Sequence, residues 1–325
     1  MTIPTRTARA LAPVLFALAN ACAAADAIRV NAFPNAKALP LHAGIAHGIF
    51  AARGLEVQLT LTPSSEEQRK GLAAGKFEVA HAAVDNAVAM VDKAKQDVVI
   101  VTGGDNGMNQ FFVQPTIGSF ADLRGRIVIV DAPNTAYALL AKKILAKHGL
   151  KEGDYTVKPV GAGPFRLRAM AEHKEYAAAI LNLPFTVQAE EMGLKSLGNP
   201  VDLLGPYQAA GAFVRREWAK ANAALLERYI GAYVEALRFS LNPAHRAESV
   251  AILGKELKLS AAVAERTYRQ LANPATGFTP DARFDHEGFR NMLALRAEME
   301  GGGAAAPEKY YDLSYYERAM ARLAK

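Results

Sequence analysis

Seven histidines and one cysteine are the side chains of this chain best suited to hold a metal ion or attack an electrophile, and their spacing supports neither role. No His-Glu-x-x-His or comparable ligand pattern occurs, and His42 and His47, five residues apart, would project from different faces of one helix. A Gly-x-Ser-x-Gly elbow is absent. Gly103-Gly104-Asp105-Asn106-Gly107 lacks the Lys-Ser/Thr of a phosphate loop, so it reads as a turn. No metal, cofactor or covalent catalyst is therefore expected. What remains is the chemistry of recognition. Polar residues where strands end and helices begin can hold anions or polar ligands through unpaired N–H groups and the helix dipole.

The elements that would carry such residues are clearest between Pro40 and Ala83, which read as helix, strand, helix, strand. Leu41, Ile45 and Ile49 recur every four residues as an apolar helical stripe, with Gly44 and Gly48 allowing close approach to a sheet and Gly54 as the stop. Leu55, Val57, Leu59 and Leu61 alternate as a strand should. Ser64 and Glu67 form a Ser-x-x-Glu capping box opening the next helix, and Gly75 closes it before the strand Val79 to Ala83. Further strands are expected at Ala27 to Phe33 and Val98 to Thr102. This αβ repeat implies a mostly parallel sheet whose ligand side lies at the strand C-termini.

Phe111 to Pro115 reads as an extended crossing, after which a second αβ set begins. Ser119 and Gly125 bracket a single capped turn before the strand Ile127 to Val130. Strands Thr156 to Val160 and Tyr176 to Leu181 alternate with helices starting near Pro133-Asn134-Thr135, Gly163-Pro164 and Asn182 to Phe185. Ala212 to Arg215 re-enters the first set. Beyond it lie helices at Asn222 to Leu241, Arg246 to Leu257, Ser260 to Leu271 and Asp285 to Glu300, then a tyrosine-rich tail expected to anchor onto the body.

With 325 residues, 51% of them hydrophobic, the chain can bury a large core. Arg6 and Arg9, the apolar run Ala10 to Ala19 and the small residues before Asp26 have the order of a secretory signal over residues 1–25. That run is too short to span a bilayer, which takes about 20 residues. Cleavage after Ala23 or Ala25 would remove Cys22 and leave a mature chain without thiols. The alternative makes Cys22 a lipidated first residue, but Leu18 lies one place too far upstream and Asn20 is a poor neighbour. Removing residues 1–25 lowers the basic count from 38 to 36 against 32 acidic residues, so the formal charge falls from +6 to +4. This mild excess does not call for nucleic acid.

The order of Leu39-Pro40-Leu41, Gly48-Ile49-Phe50, Gly54-Leu55-Glu56-Val57, Leu72 to Ala80 and the Ile117 to Arg126 turn resembles the nitrate/sulfonate/taurine and thiamine-precursor group of periplasmic substrate-binding proteins of ABC importers. The likeness runs from about Asp26 to Leu197. It implies an α/β, type II periplasmic-binding-protein fold: two αβ lobes with mostly parallel sheets joined by two crossing segments, plus C-terminal helices. Lobe 1 would comprise residues 26–112 and 208–325, and lobe 2 residues 113–207, with crossings near Gln110 to Pro115 and Leu204 to Ala210. The implied function is capture of a small organic solute in the periplasm and delivery to an ABC permease and its ATPase by a monomer. An enzyme on the same scaffold and a sensor subunit are the competing readings. Fungal pyrimidine synthases share the fold, but their resemblance includes a cysteine-rich motif that the mature chain lacks.

In such a fold the ligand-binding candidates follow from position: Asn35, Leu39 and His42; Ser64 and Ser65; Asp85 and Asn86; Asn134 and Thr135; Gly163 and Phe165; Asn182 and Phe185. The resemblance favours Ser64/Ser65, Asp85/Asn86 and Thr135. Each has a plainer role open to it: helix capping for Ser64, Asp85, Asn134 and Asn182, turn geometry for Gly163, core packing for Phe165 and Phe185. Glu66, Glu67, Asp85, Asp105 and Asp131 place negative charge near these ends and favour an amine or polar heteroaromatic ring. Arg166, His42 and His81 leave an anion open; Arg166 is expected on a helix surface, pointing at water.

Overall fold

The computed structural model describes residues 25–301, 303 and 305–324; residues 1–24 of the expected leader, Cys22 among them, lie outside the described residues. The strands are β1 (Asp26–Ala32), β2 (Leu55–Leu61), β3 (Val79–Ala83), β4 (Val98–Ile100), β5 (Asn109–Val113), β6 (Ile127–Val130), β7 (Thr156–Pro159), β8 (Tyr176–Asn182), β9 (Lys195–Ser196) and β10 (Ala210–Arg215). Helices through the two αβ sets are α1 (Leu39–Ala46), α2 (Ser65–Ala73), α3 (Asp85–Asp92), α4 (Ala136–Lys147), α5 (Gly163–Glu172), α6 (Phe185–Glu191) and α7 (Pro200–Leu204). The remainder are α8 (Arg216–Ala221), α9 (Ala223–Leu241), α10 (Arg246–Leu257), α11 (Ala261–Leu271), α12 (His286–Glu300) and α13 (Ser314–Leu323).

Two five-stranded sheets share one plan, β2-β1-β3-β10-β4 and β7-β6-β8-β5-β9. In the first, β1 runs parallel to β2 and β3, and β10 is antiparallel to β3 and β4. In the second, β6 runs parallel to β7 and β8, and β5 is antiparallel to β8 and β9. Strand composition follows position. Inner strand β8 is buried along Ala177–Asn182 because helices cover both its faces, whereas edge strand β2 alternates between shielded and exposed positions. Each sheet receives its fourth strand from across the molecule, so the chain crosses twice, over residues 101–108 and 197–209. The crossings pack backbone against backbone: a Cβ on Gly211 would meet Thr102 O at 2.4 Å, and one on Gly103 would meet Arg283 O at 2.1 Å. Only glycine fits such an approach.

Three sequence expectations change. Residues 110–115, read as a crossing, hold most of strand β5, paired from Asn109↔Asn182 to Val113↔Ala178, so the first crossing lies upstream of them. The apolar run there belongs to a sheet interior, which a single sequence cannot distinguish from a buried connection. The expected α1 stripe also fails: the helix ends at Ala46, Ile45 is 43% exposed, and Ile49 lies beyond it. Gly44 does make a close approach, but to Phe50 and to Ala236 of α9, while Gly48 lies past the helix at φ +66°. β9 was not anticipated; two residues carry no periodicity.

C-terminal helices complete the first set. α9 lies against α1 and α13, whereas α12 reaches α4 of the second set, with Lys143 paired to Glu298 at 2.5 Å. The tail docks as expected: Ile100 N donates to Tyr310 O at 2.9 Å, and the buried Tyr310 hydroxyl donates to Asp92 Oδ2 at 2.8 Å.

Candidate functional site: a polar cavity between the sheets

A cavity of about 70 Å³ lies between the two sheets. That is several times the roughly 10–15 Å³ one water needs, room for a small molecule. Its walls come from the C-terminal ends of β1, β3, β6 and β8, the N-termini of α2, α4 and α5, the crossing residues Asp105, Tyr207 and Ala209, and the first residues of β5 and β10, Asn109 and Ala210 with Gly211. This is where an open α/β sheet exposes unpaired backbone groups, because successive helices leave the strands there.

Six of the thirteen sequence candidates meet in this cavity: Asn35, Ser65, Asn86, Thr135, Gly163 and Asn182. The others do not line it. Leu39 is core, 1% exposed. His42 faces α10, with Nδ1 at 3.6 Å from Glu256. Ser64 caps α2, accepting from Glu67 N at 3.2 Å. Asn134 is exposed just before α4, and Phe165 is 44% exposed. Phe185 packs behind the wall: a Cβ on Gly163 would lie 2.4 Å from its ring.

Asp85 is buried beside Arg296 of α12, with Nη1 donating to Oδ2 at 3.0 Å, rather than facing the cavity. Burial raises its pKa to about 6, outweighing Arg296 and Arg69, and Asp131 adds to the rise. Tyr207, whose hydroxyl is pushed well above its usual range, also feels Asp85. A carboxyl whose folded pKa exceeds its unfolded value near 3.9 stabilises the fold below the lower value and loses that contribution as pH climbs through the higher. Relative to Asp85→Asn, the natural chain should therefore lose stability between about pH 4 and pH 6; urea midpoints of both proteins at pH 4, 5, 6 and 7 check this. A constant difference across the series would contradict it.

Residues outside the thirteen candidates supply much of the electrostatics, among them Asp105 and Asp131, whose negative charge the sequence already places near strand ends. Lys37 Nζ lies 2.8 Å from Asp105 Oδ1, which also accepts from Gly107 N at 2.8 Å. Desolvation opposes the Lys37 charge, but Asp105 and Tyr137 prevail and its pKa is raised. Asp131 follows β6 and reaches across to α2: Ser65 N donates to Oδ2 at 3.3 Å, and Ser65 Oγ bonds the same oxygen. Asn86 Nδ2 donates to Ser65 Oγ at 3.4 Å and is oriented by Arg69 Nη1, which donates to Oδ1 at 3.0 Å. His81 is held against Tyr229 at 2.7 Å, and burial lowers its pKa to about 3, so its ring is neutral.

Arg166 overturns the expectation of a solvent-facing side chain. It is 1% exposed, lines the cavity and lies over the Tyr137 ring at 5.2 Å, while Tyr137 OH accepts from Asn182 Nδ2 at 3.0 Å. Burial lowers its pKa, with Asp131 acting in the opposite sense. The signal was present: Gly163, Arg166, Leu167 and Met170 form one buried face at helical spacing. No comparable pattern marks Lys37, Asn109, Tyr137, Tyr207 or Tyr233, whose placement depends on how the two sheets meet.

Hydrogen bonds cross over the cavity, from Ala162 N to Pro63 O and from Ala36 N to Leu183 O, each 3.0 Å. At the rim Arg266 of α11 meets Glu190 of α6 at 2.5 Å. The two αβ sets are thus drawn together around enclosed space. Among the described residues no His, Cys, Asp or Glu group suits a metal ion, and no helix is long and apolar enough to cross a membrane.

This architecture is the periplasmic-binding-protein fold, α/β with two sheets around an inter-sheet cavity. A family model described as NMT1/THI5 like matches residues 35–246, and the chain belongs to that family. Solved structures similar to it include a protein from Bordetella bronchiseptica RB50, 21% identical, TM-score 0.80, covering 92% of this chain and 98% of that one. Another is a ligand-binding component of an ABC-type import system from Staphylococcus aureus with zinc bound, 17% identical, TM-score 0.74, covering 90% and 99%. A third is the periplasmic nitrate-binding protein NrtA from Synechocystis PCC 6803, 14% identical, TM-score 0.76, covering 92% and 89%. No curated protein matches the chain in sequence.

Proposed function

We propose that the chain is an extracytoplasmic solute-binding protein that captures a small organic molecule between two lobes and presents the closed form to an ABC permease and its ATPase. The observation that carries this reading is the enclosed polar cavity, to which both αβ sets contribute side chains. A solute touching both walls favours closure, because only contacts absent from the open form shift the balance between the two. On this reading the lobes are residues 26–108 with 210–325, and residues 109–209. Membership of the NMT1/THI5-like family and the likeness to the ligand-binding component of an ABC-type import system support the assignment.

Binding without catalysis is part of the proposal. The Ser65 hydroxyl has Asp131 and Asn86 as partners, no imidazole joins that network, and His81 is engaged by Tyr229. A nucleophile would need an adjacent base with a protonation range near the working pH. A monomer acting in the periplasm completes the proposal. The test is to incubate the mature chain with a bacterial polar metabolite extract, wash it, and examine it by native mass spectrometry and thermal shift. One small molecule retained unaltered, with a raised Tm, is expected; conversion of the bound compound would establish an enzyme instead.

A further inference from the structure

A helix start that faces a cavity suits an oxyanion, and at α2 that place is already occupied by the protein itself. At the start of α2, Ser65 offers its backbone N–H and hydroxyl, and both engage the Asp131 carboxylate. An incoming nitrate, sulfonate or carboxylate would have to displace a buried carboxylate, or sit beside it and be repelled.

Charge balance points the same way. The ionisable groups lining the cavity comprise two cations, Lys37 and Arg166, and two carboxylates, Asp105 and Asp131, with His81 held neutral. Lys37 is paired with Asp105 at 2.8 Å, and Arg166 lies in the field of Asp131. The lining therefore carries no net charge. In an enclosed space that excludes most water, a solute with a net charge of either sign would find no uncompensated partner.

Among the fully buried, unpartnered side-chain atoms of the lining, acceptors outnumber donors. Among the cavity-lining residues, Asp105 Oδ2, Asp131 Oδ1, Asn109 Oδ1 and Asn182 Oδ1 are buried without a partner, against Arg166 Nε and the Tyr207 hydroxyl on the donor side. An oxyanion carries acceptors only. Four acceptor oxygens call for N–H or O–H groups, with one or two acceptors on the same molecule for Arg166 and Tyr207.

Resting on the solute-binding reading, we infer that the site selects a polar organic molecule that has no net charge at neutral pH and presents hydrogen-bond donors, and rejects simple oxyanions. The test divides a bacterial polar metabolite extract on ion exchangers at pH 7 into anionic, cationic and unretained fractions and applies each to the mature chain. The unretained fraction should raise Tm by about 5 °C at saturating levels. Stabilisation by the anionic or cationic fraction overturns the inference while leaving solute capture intact, and stabilisation by none overturns both. An Asp131→Asn variant, which leaves the lining one positive charge in excess, should begin to respond to the anionic fraction. Unchanged selectivity in that variant would refute charge balance as the cause.

Discussion

An Arg166→Ala variant is expected to bind the compound retained by the natural chain roughly 100-fold more weakly while remaining folded. The guanidinium is fully buried in the cavity wall, Nε has no protein partner, and its charge offsets that of Asp131. Its removal deletes a charge-assisted hydrogen bond to the solute, worth about 1.5–3 kcal/mol, and leaves the Asp131 carboxylate with less compensation. Both losses fall on the closed, liganded form. Arg166→Lys should recover part of the affinity, since it restores the charge but not the planar fork. Calorimetric titration of the three proteins, with circular dichroism to establish folding, decides the matter; affinity unchanged in the alanine variant would mean that Arg166 supports the wall without touching the solute.

Replacing Arg296 should have the largest effect on stability. Its guanidinium, 4% exposed, donates to Asp85 Oδ2 at 3.0 Å and to Glu300 Oε1 at 2.9 Å, which ties α12 to the start of α3. Arg296→Ala leaves the Asp85 carboxylate buried without its cation. Breaking such a pair from one side costs about 3–5 kcal/mol, a fall in Tm of about 5–8 °C for a chain of this size. Because Asp85 already resists ionisation, the loss should be greatest at neutral pH and smaller near pH 5, where the carboxyl takes up its proton. Adding Asp85→Asn to Arg296→Ala should recover much of the deficit. Denaturant titrations of the single and double variants measure this, and a deficit that the second substitution leaves untouched would locate the damage in α12 packing.

The first prediction concerns Arg166, which the sequence placed on a helix surface, and the second the buried partner of Asp85, which the sequence favoured as a ligand contact. Position at a helix start after a strand favours both Asp85 and Asn86 as ligand contacts, and of the two only Asn86 lines the cavity. One helical step turns the next side chain by about 100°, so adjacent residues at a helix start face different surroundings. The same rotation separates Phe165, which is exposed, from Arg166, which is not. Helix starts could be located from capping and glycine signals; which of two successive side chains faced inward required the orientation of the whole helix.

By itself the sequence determined the αβ alternation, the strands β2, β3 and β6 to the residue, the caps at Ser64 and Ser119, and the family. These depend on local periodicity and on hydrogen bonds within a few residues, and such information is written consecutively in the chain. Only the tertiary structure decided that Asp105 pairs with Lys37, 68 residues away, and that Asp131 fills the start of α2, 66 residues away. Those pairings arise where two separately formed sheets meet. Their energy depends on burial and distance between groups that no local pattern relates, so the cavity's charge became readable only when its walls were assembled.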